Sequence, residues 1–447
     1  MSAEISARSV RHAEGVDPVR ALQRVLYRAA KSDRGRRFHA LYAHVARSDV
    51  LRQAWGDVRS NQGASGVDGV SVGDVEDAGV SEFLAGLAGA LEAGTYRPKP
   101  LRRVWIPKPG REGEQRPLGI PTVADRVVMT AAKIVLEPVF EADFLPCSHG
   151  FRPRRSAHDA TEAIRQEVNA GRRWVLDADV RDCFGTIDHD ALVAQIGRRV
   201  SDRRMLKLLR GWLRAGVLDN GGYTAVEAGT PQGSPISPLL ANIALHVLDE
   251  EFEGRRNELG VLVRYADDYV VVCSSRRQAE AARRRAEVVL GTLGLHTHPD
   301  KTRIVCLTRG QDGFDFLGFH HRMRESPRRP GRFYLHRWPS MKAMARIRER
   351  IRELTDRRYA AAPTDWVVER LNQTLRGWGA YFRWGNSNKK FNAIDSYVHF
   401  RLAKLTSVKH SQRGRGWGRR YDYAWLSGLG IYRLTGTVRY RQTHATR

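Results

Sequence analysis

Val261-Leu-Val-Arg-Tyr-Ala-Asp267-Asp268-Tyr-Val-Val-Val-Cys273 places two adjacent carboxylates between two runs of strand-forming residues. Val and Tyr suit a pleated, half-buried surface, and a short polar interruption between two such runs predicts a hairpin. Asp267 and Asp268 then stand at its tight turn. Carboxylates held this close repel, the more so where protein replaces water. A divalent cation removes that cost. Mg²⁺ takes hard oxygen ligands and keeps positions for phosphate and water. A bare Asp-Asp pair is most often a solvated turn; the hydrophobic strands on both sides shift the reading toward a metal site.

Such a site needs another carboxylate, distant in sequence and near in space. Trp174-Val-Leu-Asp177-Ala-Asp179-Val-Arg-Asp182-Cys-Phe184 offers one. Its composition predicts a strand over 174–180, with Asp177 and Asp179 on one face because strand side chains alternate. Tyr265-Ala266-Asp267-Asp268 at a hairpin tip resembles the metal-binding motif of reverse transcriptases. Asp179, followed five residues later by the aromatic Phe184, resembles the other acidic motif of that family. Asp177 has no such partner and reads as a supporting or solvated group, and Asp182 and Asp188 as structural or capping groups.

The resemblance implies phosphoryl transfer, in which the protein supplies positioning and charge neutralisation more than covalent chemistry. Two Mg²⁺ ions about 4 Å apart would clamp the attacking 3′-oxygen and the leaving pyrophosphate. Asp179 and Asp267 are then the primary catalytic ligands, and Asp268 a secondary ligand or orienter. Phe184 would lie beneath the sugar, where its ring clashes with a ribose 2′-hydroxyl and selects deoxynucleotides. Taken alone, Phe184 reads equally well as a core phenylalanine.

Four further segments fall in the order this family has. Gly229-Thr-Pro-Gln232-Gly233-Ser234-Pro-Ile-Ser237-Pro238 is a Gly/Pro-rich loop opening a helix, which Ser234 or Ser237 is placed to cap. In the resemblance Gln232 and Gly233 border the incoming nucleotide and the template, with Gly233 letting backbone approach a base pair closely. Trp105-Ile-Pro-Lys108, continuing to Arg116, looks like the fingers hairpin that meets the triphosphate. Lys108 supplies a point charge there and Arg116 a planar, bidentate fork. Ser148-His-Gly-Phe151-Arg152-Pro-Arg-Arg-Ser156-Ala-His158 matches a segment near the template, with both histidines structural. Lys301 falls where the family has a lysine near the pyrophosphate, a candidate general acid. Phe314-Asp-Phe-Leu-Gly318-Phe319 resembles the primer grip.

Composition bounds the partner. Lys plus Arg number 75 against 49 Asp plus Glu, a net charge of +26. The excess is uneven: residues 331–447 carry 25 basic and 7 acidic side chains, and residues 1–330 carry 50 and 42. Six of the ten tryptophans lie in the basic part (Trp338, Trp366, Trp378, Trp384, Trp417, Trp425). Arginine interleaved with aromatics suits unpaired bases and folded RNA. A membrane surface is the rival partner, but no amphipathic helix with a clean apolar face dominates this part. No signal peptide or span of membrane length is expected. Cys147, Cys183, Cys273 and Cys306 are scattered and form no Cys-x-x-Cys pair, which argues against a zinc site or disulfide framework and fits a reducing bacterial cytoplasm.

Periodicity predicts helices over 21–30, 38–59, 123–145, 156–170 and 276–293. Three more are predicted after a Pro/Arg-rich break at Ser326–Arg332, at 340–358, 364–383 and 388–406. The fold class expected is α+β: a right-hand polymerase of fingers, palm and thumb, with an antiparallel palm sheet and a helical thumb/maturase domain. Residues 1–95 read as an N-terminal extension and start of the fingers, and 96–325 as fingers and palm. Residues 333–410 read as thumb/maturase, and 411–447 as a short basic segment.

The C-terminal part narrows the family. Leu371-Asn-Gln-Thr-Leu-Arg376-Gly-Trp378-Gly-Ala-Tyr381-Phe382-Arg383 is similar to the maturase segment of group II intron-encoded proteins, and Asn386–Val398 continues the likeness. Arg376, Trp378 and Arg383 would grip intron RNA; the alternative is a thumb helix with core aromatics and solvated arginines. Arg413-Gly-Arg-Gly-Trp-Gly-Arg-Arg420 stands where many relatives carry a His-Asn-His endonuclease with paired cysteines. An endonuclease-lacking type is therefore expected, needing another primer such as a nascent strand at a replication fork. The resemblance implies an RNA-directed DNA polymerase using deoxynucleotides. It would bind intron RNA to assist splicing and copy it into DNA at a primed DNA target, bringing it onto the nucleoid. No oligomeric state follows. The alternatives are a stand-alone defence or CRISPR-associated reverse transcriptase and a non-catalytic RNA-binding splicing factor.

Overall fold

A computed structural model describes residues 17–107, 113, 115–219, 222–226, 228–230, 233–410 and 420–440. Among them the strands, numbered along the chain, are β1 (Leu101–Pro107), β2 (Gln115–Ile120), β3 (Trp174–Asp179), β4 (Val217–Asp219), β5 (Gly222–Thr224), β6 (Val261–Tyr265), β7 (Asp268–Cys273), β8 (Arg303–Cys306), β9 (Gly313–Phe316), β10 (Phe319–Ser326) and β11 (Arg329–Pro339). The chain divides into two compact units. The first holds the described residues up to Ser156 with Ala178–Val270 and Ala281–Thr302. The second holds Ala157–Asp177, Val271–Glu280 and the described residues from Arg303 onward.

The first unit is built on the helix Val123–Glu141, buried almost all round: Val127, Val128, Ala131, Val135, Leu136 and Val139 are fully enclosed. A helix apolar on every face belongs inside a core. The helices Pro18–Ser32 and Ser48–Asn61 pack on it. The helix expected over 38–59 starts late and is interrupted. Phe38 bridges Val200, Leu41–Val45 makes a short helix, and the longer one begins at Ser48. A sheet in the order β2-β1-β4-β5 completes this part; β1–β2 and β4–β5 are antiparallel and β1–β4 is a short parallel contact.

The helix Ser237–Gly254 starts where expected, but no serine caps it. Ile236 holds the capping position, and the Ser234 hydroxyl is turned to the Met129 sulfur at 3.2 Å. Pro238, which suits a first helical turn, sets the start instead. The hairpin β6–β7 forms as the two strand-forming runs predict, and the end of β3 lies beside the start of β7.

In the second unit the beginning of β3 pairs antiparallel with β8, Trp174 opposite Cys306 and Asp177 opposite Arg303. β9, β10 and β11 form an antiparallel sheet. Leu317 and Gly318, both left-handed (φ 50° and 79°), make the two-residue turn between β9 and β10, the geometry that matches strand twist. The break expected at Ser326–Arg332 is instead the reversal joining two long strands. Their inward alternation runs Phe319, His321, Met323 on β10 and Leu335, Arg337 on β11. Polar residues at buried positions disguised the period. The helices Met341–Leu354, Thr364–Phe382 and Asn388–Lys409 share one core through Ile347, Ile351, Leu371, Leu375, Phe391 and Ile394. Each such burial stabilises by roughly 1.5–3 kcal/mol.

Candidate active site

The turn of the hairpin is two residues, Ala266 and Asp267, and Ala266 is left-handed at φ 57°. Alanine gains nothing from that conformation, so the surroundings must hold it. Arg264 does so. Its side chain is fully buried and donates from Nη1 to the Ala266 carbonyl at 2.9 Å and to Asn242 Oδ1 at 3.0 Å, from Nη2 to Ser148 Oγ at 2.8 Å, and from Nε to Asp249 Oδ1 at 2.7 Å. Asp249 is equally buried. Arg264 holds its carboxyl below the ordinary range against the effect of burial. Backbone bonds His149 N–Arg264 O (2.9 Å) and Arg264 N–Cys147 O (2.8 Å) lay the segment 147–149 along β6. Gly150 then meets the turn: a Cβ there would stand 2.3 Å from the Ala266 nitrogen, so only glycine fits.

This supporting network was not singled out in the sequence. A signal for it exists: Arg264 interrupts the apolar run of β6, and Asp249 interrupts that of the helix Ser237–Gly254. A charge at a core position on each of two elements predicts an ion pair.

The turn brings the acidic groups together. Asp268 opens β7, and its carboxyl is within hydrogen-bonding reach of Asp179 at the end of β3. Asp267 is half-buried. Burial lifts its carboxyl above the ordinary range, Asp179 adds to the lift, and its own backbone N–H and Lys301 oppose it. Asp268 reaches solvent at its tip while protein surrounds it on the other sides. Burial first, then Asp267 and Asp179, push it up to about 7. Lys301 Nζ pairs with Asp179 Oδ2. Asp179 is also fixed from behind, its carbonyl accepting from His298 N at 2.8 Å. Lys301 thus faces three carboxylates, a donor set of hard oxygens. Among the described residues no three His, Cys, Asp or Glu side chains stand ready to close on one ion, and Lys301 occupies the oxygen that Asp179 would offer.

Phe184 lies on the short helix Cys183–Thr186, half-buried, with its ring against Phe151. Thr230 N donates to the Phe184 carbonyl, which ties the glycine- and proline-rich loop to it. Gly233, at φ 105°, packs on β2: a Cβ would come within 2.8 Å of the Leu118 side chain and 3.0 Å of the Gly119 carbonyl. Its close approach in this structure is therefore to protein. Arg116 is exposed on β2 opposite Ile106. Lys108 and Gln232 lie outside the described residues. Asp188 caps the helix His189–Gly197 at 2.7 Å.

In the second unit Asp177 pairs with Arg303 at 3.2 Å. Arg376 is exposed on the helix Thr364–Phe382 with its guanidinium 5.5 Å from the Tyr432 ring centre. Trp378 is half-buried and packs on Phe382 and Phe391 with ring centres 4.8 and 5.6 Å away. Arg383, just after the helix, lies over Trp384 at 5.4 Å. His158 Nε2 is 2.6 Å from the Tyr381 carbonyl, a structural contact. Among the described residues no disulfide joins Cys147, Cys183, Cys273 or Cys306. Cys183 and Cys273 are buried, which pushes both thiols up to about 12. Among the described residues no helix is long and apolar enough to cross a membrane.

Residues 106–321 match the family model for reverse transcriptase (RNA-dependent DNA polymerase), and residues 344–423 match that for the group II intron maturase-specific domain. Protein YkfC of Escherichia coli is 35% identical over 345 residues, covering 69% of this chain and 89% of that protein. The chain belongs to the group II intron-encoded reverse transcriptase and maturase family. Group II intron-encoded protein LtrA of Lactococcus lactis is 41% identical over 213 residues, 48% of this chain and 35% of LtrA, so the match spans about a third of that relative. The α+β make-up of this group II family member, with antiparallel pairs such as β1–β2, β3–β8 and β10–β11, agrees with the polymerase fold expected from its sequence.

Proposed function

We propose that this protein is an RNA-directed DNA polymerase that also binds group II intron RNA, assists its splicing and copies it into DNA from a primer at a DNA target. The observation that carries the reading is the meeting of Asp268 with Asp179 beside Asp267, with Lys301 paired to Asp179. Desolvated carboxylates with too little positive charge fit divalent cations. Asp179, Asp267 and Asp268 would hold two Mg²⁺, with Lys301 leaving Asp179 as they bind. When bound, the ions supply an activated primer 3′-hydroxyl and neutralise the leaving pyrophosphate.

The chain's own groups do the rest. Lys108 and Arg116 meet the triphosphate, Gln232 and Gly233 border the base pair, and Phe184 excludes a 2′-hydroxyl. Lys301, once released, would hand a proton to the pyrophosphate. Residues 96–325 act as fingers and palm and 333–410 as thumb and maturase. On the latter, Arg376 and Arg383 contact RNA phosphates and Trp378 stiffens the helix that presents them. The protein would work in the bacterial cytoplasm, on the nucleoid when engaged with DNA.

The test is extension of a DNA primer on an RNA template with Mg²⁺ and deoxynucleotides. Extension by the intact protein and none by Asp267→Ala is expected, with binding of a group II intron RNA near normal in both. Extension that survives Asp267→Ala, or none by the intact protein, would refute the polymerase reading.

A further inference from the structure

Phe151 is 49% exposed and left-handed at φ 57°, a conformation that a phenylalanine adopts only under constraint. The constraint comes from its neighbours. Gly150 is wedged against the Tyr265–Ala266 backbone, and its carbonyl accepts from Asn242 Nδ2 at 2.9 Å. Arg152 is buried and bound to Glu141 at 2.7 Å and to the carbonyls of Leu145 and Ser148 at 2.6 and 2.8 Å. An exposed aromatic ring held out between two clamped residues gains little from burial. What it meets is Phe184, edge to face, with centres 6.4 Å apart and planes at 72°.

Phe184 has the complementary need. Its main chain is fixed: Thr230 N donates to its carbonyl, and Gly229 sits so close that a Cβ would stand 2.7 Å from that oxygen. Its ring is not fixed in the same way. An open pocket of about 360 Å³ lies beside it, lined by Leu101, Pro117, Trp212 and Val217 and by the polar Arg103 and Asp182. A pocket of this size has room for a phenyl ring to swing aside. A side chain that excludes a hydroxyl by collision does so only if it cannot retreat.

We propose that Phe151 is a positioning residue for sugar selection, its ring edge holding the Phe184 ring in place so that it does not swing into the open pocket beside it. This rests on the reading of Phe184 as the sugar filter. The strained backbone at 151 and the glycine at 150 are then the means of delivering one aromatic edge to that ring.

The experiment is single-nucleotide extension by the full-length protein, comparing kcat/KM for deoxy- and ribonucleotides. Phe151→Ala keeps the left-handed penalty and removes the ring, Phe151→Gly removes both, and Phe151→Tyr keeps the ring edge. Loss of about tenfold or more in deoxy-over-ribo preference is expected for Ala and Gly, through faster ribonucleotide use with deoxynucleotide use within a few-fold of normal. Tyr should restore the preference, and Phe151→Gly should melt no lower than the parent because its backbone strain is gone. Unchanged preference in Phe151→Gly, while Phe184→Ala admits ribonucleotides, would overturn the bracing role and leave the filter standing. Unchanged preference in Phe184→Ala would overturn the filter itself. Equal loss of both substrates with a lowered melting temperature would make Phe151 structural only.

Discussion

Arg264 Nη1 donates to the Ala266 carbonyl at 2.9 Å, so a fully buried arginine fixes the one left-handed residue of the acidic turn. The same guanidinium is bound to Asp249, Asn242 and Ser148. The turn's shape is therefore set from inside the core.

Arg264→Met should cost about 3–5 kcal/mol, because Asp249 would be left buried and unpaired. Primer extension should fall in the fraction that remains folded, as the turn relaxes. Chemical denaturation followed by extension at matched folded concentration separates the two. Arg264→Met with Asp249→Leu should recover stability and leave extension low; recovery of both would show that the turn keeps its shape without the guanidinium.

The metal-free protein should lose stability with rising pH through Asp268. The unfolded chain gives up this proton near an ordinary value of about 4, whereas the folded protein keeps it to about 7. Ionisation therefore favours the unfolded state across that window, and the stability present below it is lost as pH rises through it. Melting in a chelator should fall between about pH 4 and 7. Mg²⁺ should raise the melting temperature more at pH 8 than at pH 6, and Asp268→Asn should flatten the chelator curve.

What the sequence made legible here is what rests on short-range pattern. The hairpin of Asp267 and Asp268 and the strand of Asp179 follow from strand-forming composition, and the helices from Ala157 and Thr364 from a 3.6-residue period. What stayed hidden rests on long-range pairing. Ser148, Asn242, Asp249 and Arg264 span more than a hundred residues, and each alone is an ordinary polar side chain. The ladder of β10 and β11 was masked because His321 and Arg337 occupy inward positions that apolar residues normally mark. Gly150 and Gly233 showed as glycines, but only coordinates reveal that their neighbours are the Ala266 backbone and the Leu118 side chain.

Lys301→Ala should tighten divalent-cation binding in the absence of nucleotide. Its ammonium and the cation compete for the Asp179 carboxylate, and removal of the competitor frees that oxygen. Mn²⁺ titration followed by electron paramagnetic resonance should show a several-fold lower Kd. Extension should nonetheless slow, since the candidate proton donor to the pyrophosphate is gone. A Kd unchanged or raised would mean that the lysine does not block the site.

Neutralising Arg376 and Arg383 together should weaken binding of group II intron RNA and flatten its salt dependence, by about one unit of slope for each phosphate no longer neutralised. Arg376 is exposed on the helix beside Tyr432, and Arg383, just after the helix, is half-buried over Trp384. Trp378 should behave differently. Its ring is packed on Phe382 and Phe391, so Trp378→Ala should lower the melting temperature while leaving the salt slope of the folded protein unchanged. An unaltered slope in the double arginine variant would assign both arginines to structure. A reduced slope in Trp378→Ala at normal stability would place the ring against RNA.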